Sequence, residues 1–152
     1  EEQLKNQFVK KATTLAIAES CTGGKIANRL TNIPGSSAYF KGGVVAYSTD
    51  AKVNLLGVSR DLINEYSVVS AQVAEAMAVG ALEKFGTSIG VSTTGNAGPT
   101  KGDSDAEIGT VYIGLATANN VISYELHLGK HRERVLEKAV NKVMELLYKE
   151  VF

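Results

Sequence analysis

Three observations predict an α/β fold, a three-layer α/β/α sandwich around a mixed, mainly parallel sheet of about five strands. Apolar runs of strand length alternate with longer amphipathic segments. Glycine or hydroxyl residues bound each run. The last two runs follow each other across a tight turn, which adds an antiparallel hairpin. A chain of 152 residues is expected to form one domain, residues 1–152, and to bury roughly 68 to 70% of the surface its unfolded form exposes.

The elements follow in order. Leu4, Phe8 and Ala12 share helical spacing, and TLAIA (14–18) is an uninterrupted apolar run that ends at Glu19 and Ser20. Past Cys21, Thr22, Gly23 and Gly24, the spacing of Ile26, Ala27, Leu30 and Ile33 predicts a helix that Pro34-Gly35 stops. YFKGGVVAYS (39–48) is β-branched and aromatic, and its Gly42-Gly43 pair predicts a bulge or a close backbone approach. Ser48, Thr49 or Asp50 caps the next helix, with Lys52 in its first turn and Gly57 at its end. Ser59 or Asp61 starts a short helix, and Ser70 precedes an alanine-rich one suited to close packing on a sheet. SIGVSTTG (88–95) is the third strand, and residues 96–108 form a polar loop of a length that is often functional. The hairpin strands GTVYIGLAT and VISYELHL flank Ala118-Asn119-Asn120, where asparagine suits a positive φ. A last amphipathic helix spans about 131–148, its stripe formed by Val135, Leu136, Ala139, Val140, Val143, Met144 and Leu147.

Sixteen basic and sixteen acidic residues balance to zero net charge, which lacks the electrostatic footprint of a nucleic-acid binder. One cysteine makes no intramolecular disulfide, and no run approaches the ~18 apolar residues of a membrane span. The expectation is a cytoplasmic protein with neither nucleic-acid nor membrane partners.

Ligands of such sheets bind at the carboxyl ends of parallel strands. The polar clusters at 20–24, 47–52 and 93–99 follow apolar runs and converge on one edge if those strands are parallel; PGSS (34–37) is a turn just before the second strand. Residues 19–26 are not a phosphate loop, because Glu19 and Ile26 stand where that motif needs glycine and a hydroxyl. GNAGPTKG (95–102) is likewise not a dinucleotide fingerprint. The turn at 20–24 reads either as a helix cap or as a ligand-facing loop. Lys52 reads either as a solvated side chain or as a general base: the helix dipole and its apolar neighbours both depress its pKa, and a neutral lysine can activate a serine. Cys21 is read as packing. His127 and His131 lack supporting ligands, so no metal site is predicted.

These stretches carry a family likeness. AESCTGGKIANRLTNIPGSSAYFKGGVVAYSTDAKVNLLGV (18–58), VVSAQVAEAMAVGAL, TTGNAGP and IGTVYIGLAT closely resemble the C-terminal domain of the competence- and damage-inducible protein A (CinA) family, also known as nicotinamide mononucleotide deamidases. The resemblance implies a cofactor-free hydrolase that converts nicotinamide mononucleotide to nicotinic acid mononucleotide and ammonia, in a protein that is a homo-oligomer. It implies Ser37, the second serine of GSS, as nucleophile, Lys52 as base, Tyr47 near both, and Ser20 assisting. Thr94 and N–H groups around Gly95 are the expected oxyanion donors. Thr22, Gly23, Gly24, Gly95, Asn96 and Arg132 are the expected substrate contacts, Arg132 at the phosphate. Two places depart from the family pattern: Asn96, where TGIAGP is usual, and Gly129-Lys130-His131-Arg132, where GDR is usual. The alternative function is a non-catalytic nucleotide- or partner-binding module of the same fold, associated with competence or damage.

Overall fold

The sheet is built from five short apolar segments: β1 (Leu15–Glu19), β2 (Phe40–Val45), β3 (Ile89–Gly95), β4 (Thr110–Thr117) and β5 (Val121–His127). Six helices complete the chain: α1 (Glu2–Lys10), α2 (Lys25–Thr31), α3 (Thr49–Leu56), α4 (Arg60–Tyr66), α5 (Ala71–Phe85) and α6 (Arg132–Val151). The computed structural model describes residues 1–102 and 104–152. Strand order is β2-β1-β3-β4-β5. The pairs β1–β2 and β1–β3 are parallel, whereas β3–β4 and β4–β5 are antiparallel. The sheet is therefore mixed, as expected from the sequence, but its parallel and antiparallel pairs are equal in number rather than mainly parallel, because the hairpin adds β4 and β5 antiparallel.

Alternation along β1 separates the two outer layers, because successive side chains of a strand point to opposite faces. Leu15 and Ile17 join Leu4, Phe8, Ile26, Leu30, Val143 and Leu147 under α1, α2 and α6. Ala16 and Ala18 join Leu56, Ile63, Val73, Met77 and Ala81 under α3, α4 and α5. The second layer is lined with small residues because α5 lies close to the sheet. A Cβ on Gly90 would come within 2.1 Å of the Ala78 carbonyl oxygen, and one on Gly114 within 2.3 Å of that of Ala74.

Serine caps start α3, α4 and α5 as expected: Ser48, Ser59 and Ser70 accept from the N–H groups of Ala51, Leu62 and Val73. Gly57 and Gly86 end α3 and α5 in the left-handed conformation. The glycine pair in β2 marks a bulge: Leu15 pairs with Phe40 and Ala16 with Gly42, which leaves Lys41 as the extra residue. The turn at 118–120 differs from expectation. The positive-φ non-glycine residues described are Ala12 and Ser67, not an asparagine. The hairpin closes instead through Thr117, whose N–H donates to the Asn120 carbonyl and whose hydroxyl accepts from the Asn120 N–H. Among the described residues no helix is long and apolar enough to cross a membrane.

Candidate active site

The parallel pairing ends level at Glu19, Val45 and Thr93, and two further bonds close the ladder there: the Ser20 N–H donates to the Thr93 carbonyl and the Ala46 N–H to that of Glu19. From there the side chains divide by face. Toward α2, Glu19 is 1% exposed. Its Oε1 accepts from the Thr22 hydroxyl (2.6 Å) and the Ile26 N–H (2.9 Å), and its Oε2 from the Ala27 N–H (3.1 Å). Thr93 shares the Thr22 hydroxyl at 2.8 Å. The N-cap of α2, Gly24, supplies no side-chain cap, so the carboxylate of Glu19 fills that role and occupies the positive end of the helix, where a phosphate loop would hold its anion.

On the opposite face are Ser20, Thr94 and Lys52. Lys52 is 1% exposed, because α3 lies over the sheet edge and draws the stem inward. Its Nζ lies 3.0 Å from Ser20 Oγ, 3.0 Å from the Ala46 carbonyl oxygen and 3.4 Å from that of Tyr47. All three partners are neutral oxygens. Burial pushes the Lys52 ammonium below its ordinary value of 10.5. Burial also pushes the neighbouring Cys21 thiol up to about 12, so the thiol stays protonated and offers Lys52 no countercharge. Cys21 packs with Ala97, Val111, Val135 and Ala139, in keeping with its reading as packing.

Above this group opens a cleft of about 260 Å³, lined by Ser20, Cys21, Tyr47, Lys52, Thr94, Gly95, Asn96 and Arg132 together with Val68, Val69 and residues of the 97–104 loop. Tyr47 is 62% exposed at the rim. The Arg132 guanidinium reaches across the mouth, donating from Nη1 to the Gly98 carbonyl (2.7 Å) and from Nη2 to the Tyr47 hydroxyl (3.4 Å). It also borders a second hollow between α2 and α6. Asn96 serves the loop itself: its Nδ2 donates to the Ala106 carbonyl and its Oδ1 accepts from the Gly98 N–H.

Ser37 is not in this group, which corrects its expected pairing with Lys52. It lies in a 3-10 turn, Ser36–Ala38, before the first residue of β2, and its carbonyl accepts from Lys41 Nζ. Lys52 follows the last residue of β2, so the strand separates them; six residues at ~3.3 Å each span on the order of 20 Å. The serine that meets Lys52 is Ser20. Thr22, Gly23 and Gly24 also fall outside the cleft lining, Thr22 because its hydroxyl is spent on Glu19 and Thr93. Three of the donor groups at and beyond Thr94 are engaged elsewhere. The Thr94 hydroxyl donates to the Val68 carbonyl at 2.8 Å, the Asn96 N–H to that of Thr110, and the Gly98 N–H to Asn96. Glu19 and the carbonyls of Ala46 and Val68 were not foreseen. An ionisable residue closing an apolar run was the available signal for Glu19, whereas backbone carbonyls leave none.

Fold and cleft together define an α/β domain with a buried serine–lysine pair at the carboxyl edge of its parallel strands. The chain belongs to the CinA C-terminal domain family, which it matches over residues 1–151. It is 51% identical over 144 residues to a CinA-like protein of Flavobacterium psychrophilum, a match covering 95% of this chain and 34% of that one. The chain thus spans about a third of the length of the curated relatives it matches. The crystal structure of competence damage-inducible protein A (ComA) from Klebsiella pneumoniae superposes with a TM-score of 0.95 at 28% identity, covering 99% of this chain and 93% of that one. The competence/damage inducible protein CihA of Agrobacterium tumefaciens gives 0.89 at 35% identity, covering 97% and 93%.

Proposed function

We propose that the cleft hydrolyses a carboxamide, with nicotinamide mononucleotide as the substrate and nicotinic acid mononucleotide and ammonia as products. The observation that carries this reading is the set of three contacts at Lys52 Nζ. A neutral amine has two N–H donors and one lone pair. The carbonyls of Ala46 and Tyr47 accept only and so take the two N–H groups; the lone pair is left for the Ser20 hydroxyl. Ser20 Oγ then attacks the amide carbon as its proton passes to Lys52. The ammonium formed in this buried place stabilises the oxyanion. It next donates its proton to the leaving nitrogen, the C–N bond breaks, and ammonia departs. Water attacks the acyl–Ser20 ester, again deprotonated by Lys52, and releases the acid. Arg132 at the mouth supports phosphate recognition, since its planar fork retains N–H groups beyond the two it uses on Gly98 and Tyr47.

The test is ammonia release from nicotinamide mononucleotide by the purified protein. Ser20→Ala should lower the rate by at least roughly 10³-fold, as loss of a nucleophile does, while Ser37→Ala retains it. An inert wild-type protein overturns the reading, and an inert Ser37→Ala beside an active Ser20→Ala overturns the assignment of Ser20.

A further inference from the structure

We propose that Thr94 selects the substrate's amide nitrogen by accepting a hydrogen bond from it, and so discriminates a carboxamide from the corresponding acid. The inference rests on the amidase reading and adds a role for a hydroxyl expected to be an oxyanion donor.

The direction of one hydrogen bond decides it. A threonine hydroxyl has one proton and two lone pairs, whereas a carbonyl only accepts. Thr94 Oγ1 lies 2.8 Å from the Val68 carbonyl oxygen, so the single proton is committed there. Toward the cleft, Thr94 therefore presents lone pairs alone. It is placed to use them on the reacting group. Glu19 pairs with Thr93 in register, so Ser20 and Thr94 are the next residues along neighbouring parallel strands, about 4.8 Å apart in the pairing direction. Both line the cleft, and Thr94 is 1% exposed.

The Val68 carbonyl is itself held in place. Ser67, at the corner between α4 and α5, adopts φ 76 and ψ 157, a region almost reserved for glycine. Its carbonyl accepts from the hydroxyl of Ser70, the cap of α5, at 2.9 Å. The corner thus fixes the next carbonyl, which fixes the Thr94 proton. A carboxamide with its carbonyl carbon at Ser20 can turn an N–H to Thr94. The product carboxylate offers only oxygen lone pairs and is repelled, which favours release.

The test separates this from the amidase reading by using binding as well as turnover. In a Ser20→Ala background, calorimetry should show nicotinamide mononucleotide binding more tightly than nicotinic acid mononucleotide. Adding Thr94→Val should remove at least roughly tenfold of that preference, the worth of one lost hydrogen bond, and Thr94→Ser in its place should restore it. On otherwise wild-type protein, Thr94→Val should slow hydrolysis of the amide but not of the methyl ester of the same acyl group. Equal affinities in the background protein, a preference that survives Thr94→Val, or equal losses on amide and ester would each overturn the proposal, and would do so while ammonia release by the wild-type protein still supported the amidase reading.

Discussion

Glu19 and Ser20 are consecutive residues whose side chains leave the sheet on opposite faces, one to the N-terminus of α2 and the other to Lys52. The turn that carries the candidate nucleophile is thereby anchored from beneath by a carboxylate that never meets the cleft.

Glu19→Ala should therefore act on stability. It strips the N–H groups of Ile26 and Ala27 and the Thr22 hydroxyl of their buried acceptor, at a cost of about 3 kcal/mol. At ~2–4 °C per kcal/mol for a domain of this size, a thermal melt should show Tm lowered by roughly 6–12 °C. Glu19→Gln, which retains one acceptor oxygen, should lose less.

Lys52 should impose a pH dependence of known sign. In the proposed mechanism its amine form is the active one, and burial holds its pKa below 10.5. Initial rates should rise with pH through that lowered pKa, and Lys52→Gln should abolish the rise together with most of the rate. Stability follows the same sign. Between the folded pKa and 10.5 the unfolded chain binds more protons, so unfolding free energy increases as pH rises through that window. Denaturant midpoints of Lys52→Met should lose that slope.

Two kinds of glycine should respond differently to alanine. At Gly90 the new Cβ would sit 2.1 Å from the Ala78 carbonyl oxygen, so α5 must lift from the sheet, and denaturant melts should show a loss of about 3 kcal/mol or more. At Gly57 nothing lies within 4 Å and only the φ of +68 is unfavourable, which costs about 1–2 kcal/mol. Equal losses at the two positions would contradict the close approach of α5.

Much of this was legible in the sequence because it is local. The caps at Ser48, Ser59 and Ser70, the glycine stops and the bulge at Gly42-Gly43 are each written in a few adjacent residues. The sheet-edge cluster was legible as well, since the segments at 20–24 and 47–52 follow strands and 93–99 spans the end of one. That same reasoning applied to Ser37 and excluded it: a residue before β2 and a residue after it lie at opposite ends. Thr22 and Thr94 were misjudged for another reason. A hydroxyl is equally able to donate or accept, and only the partners across the fold, Glu19 for one and the Val68 carbonyl for the other, decide how each is used.

The cage around Lys52 Nζ also has an isotopic consequence. With two positions tied to the carbonyls of Ala46 and Tyr47, the proposed mechanism leaves only the proton shared with Ser20 in flight when the nucleophile is formed. In mixtures of light and heavy water the rate of that step should fall in a straight line with deuterium fraction, because a single exchangeable site carries the whole effect.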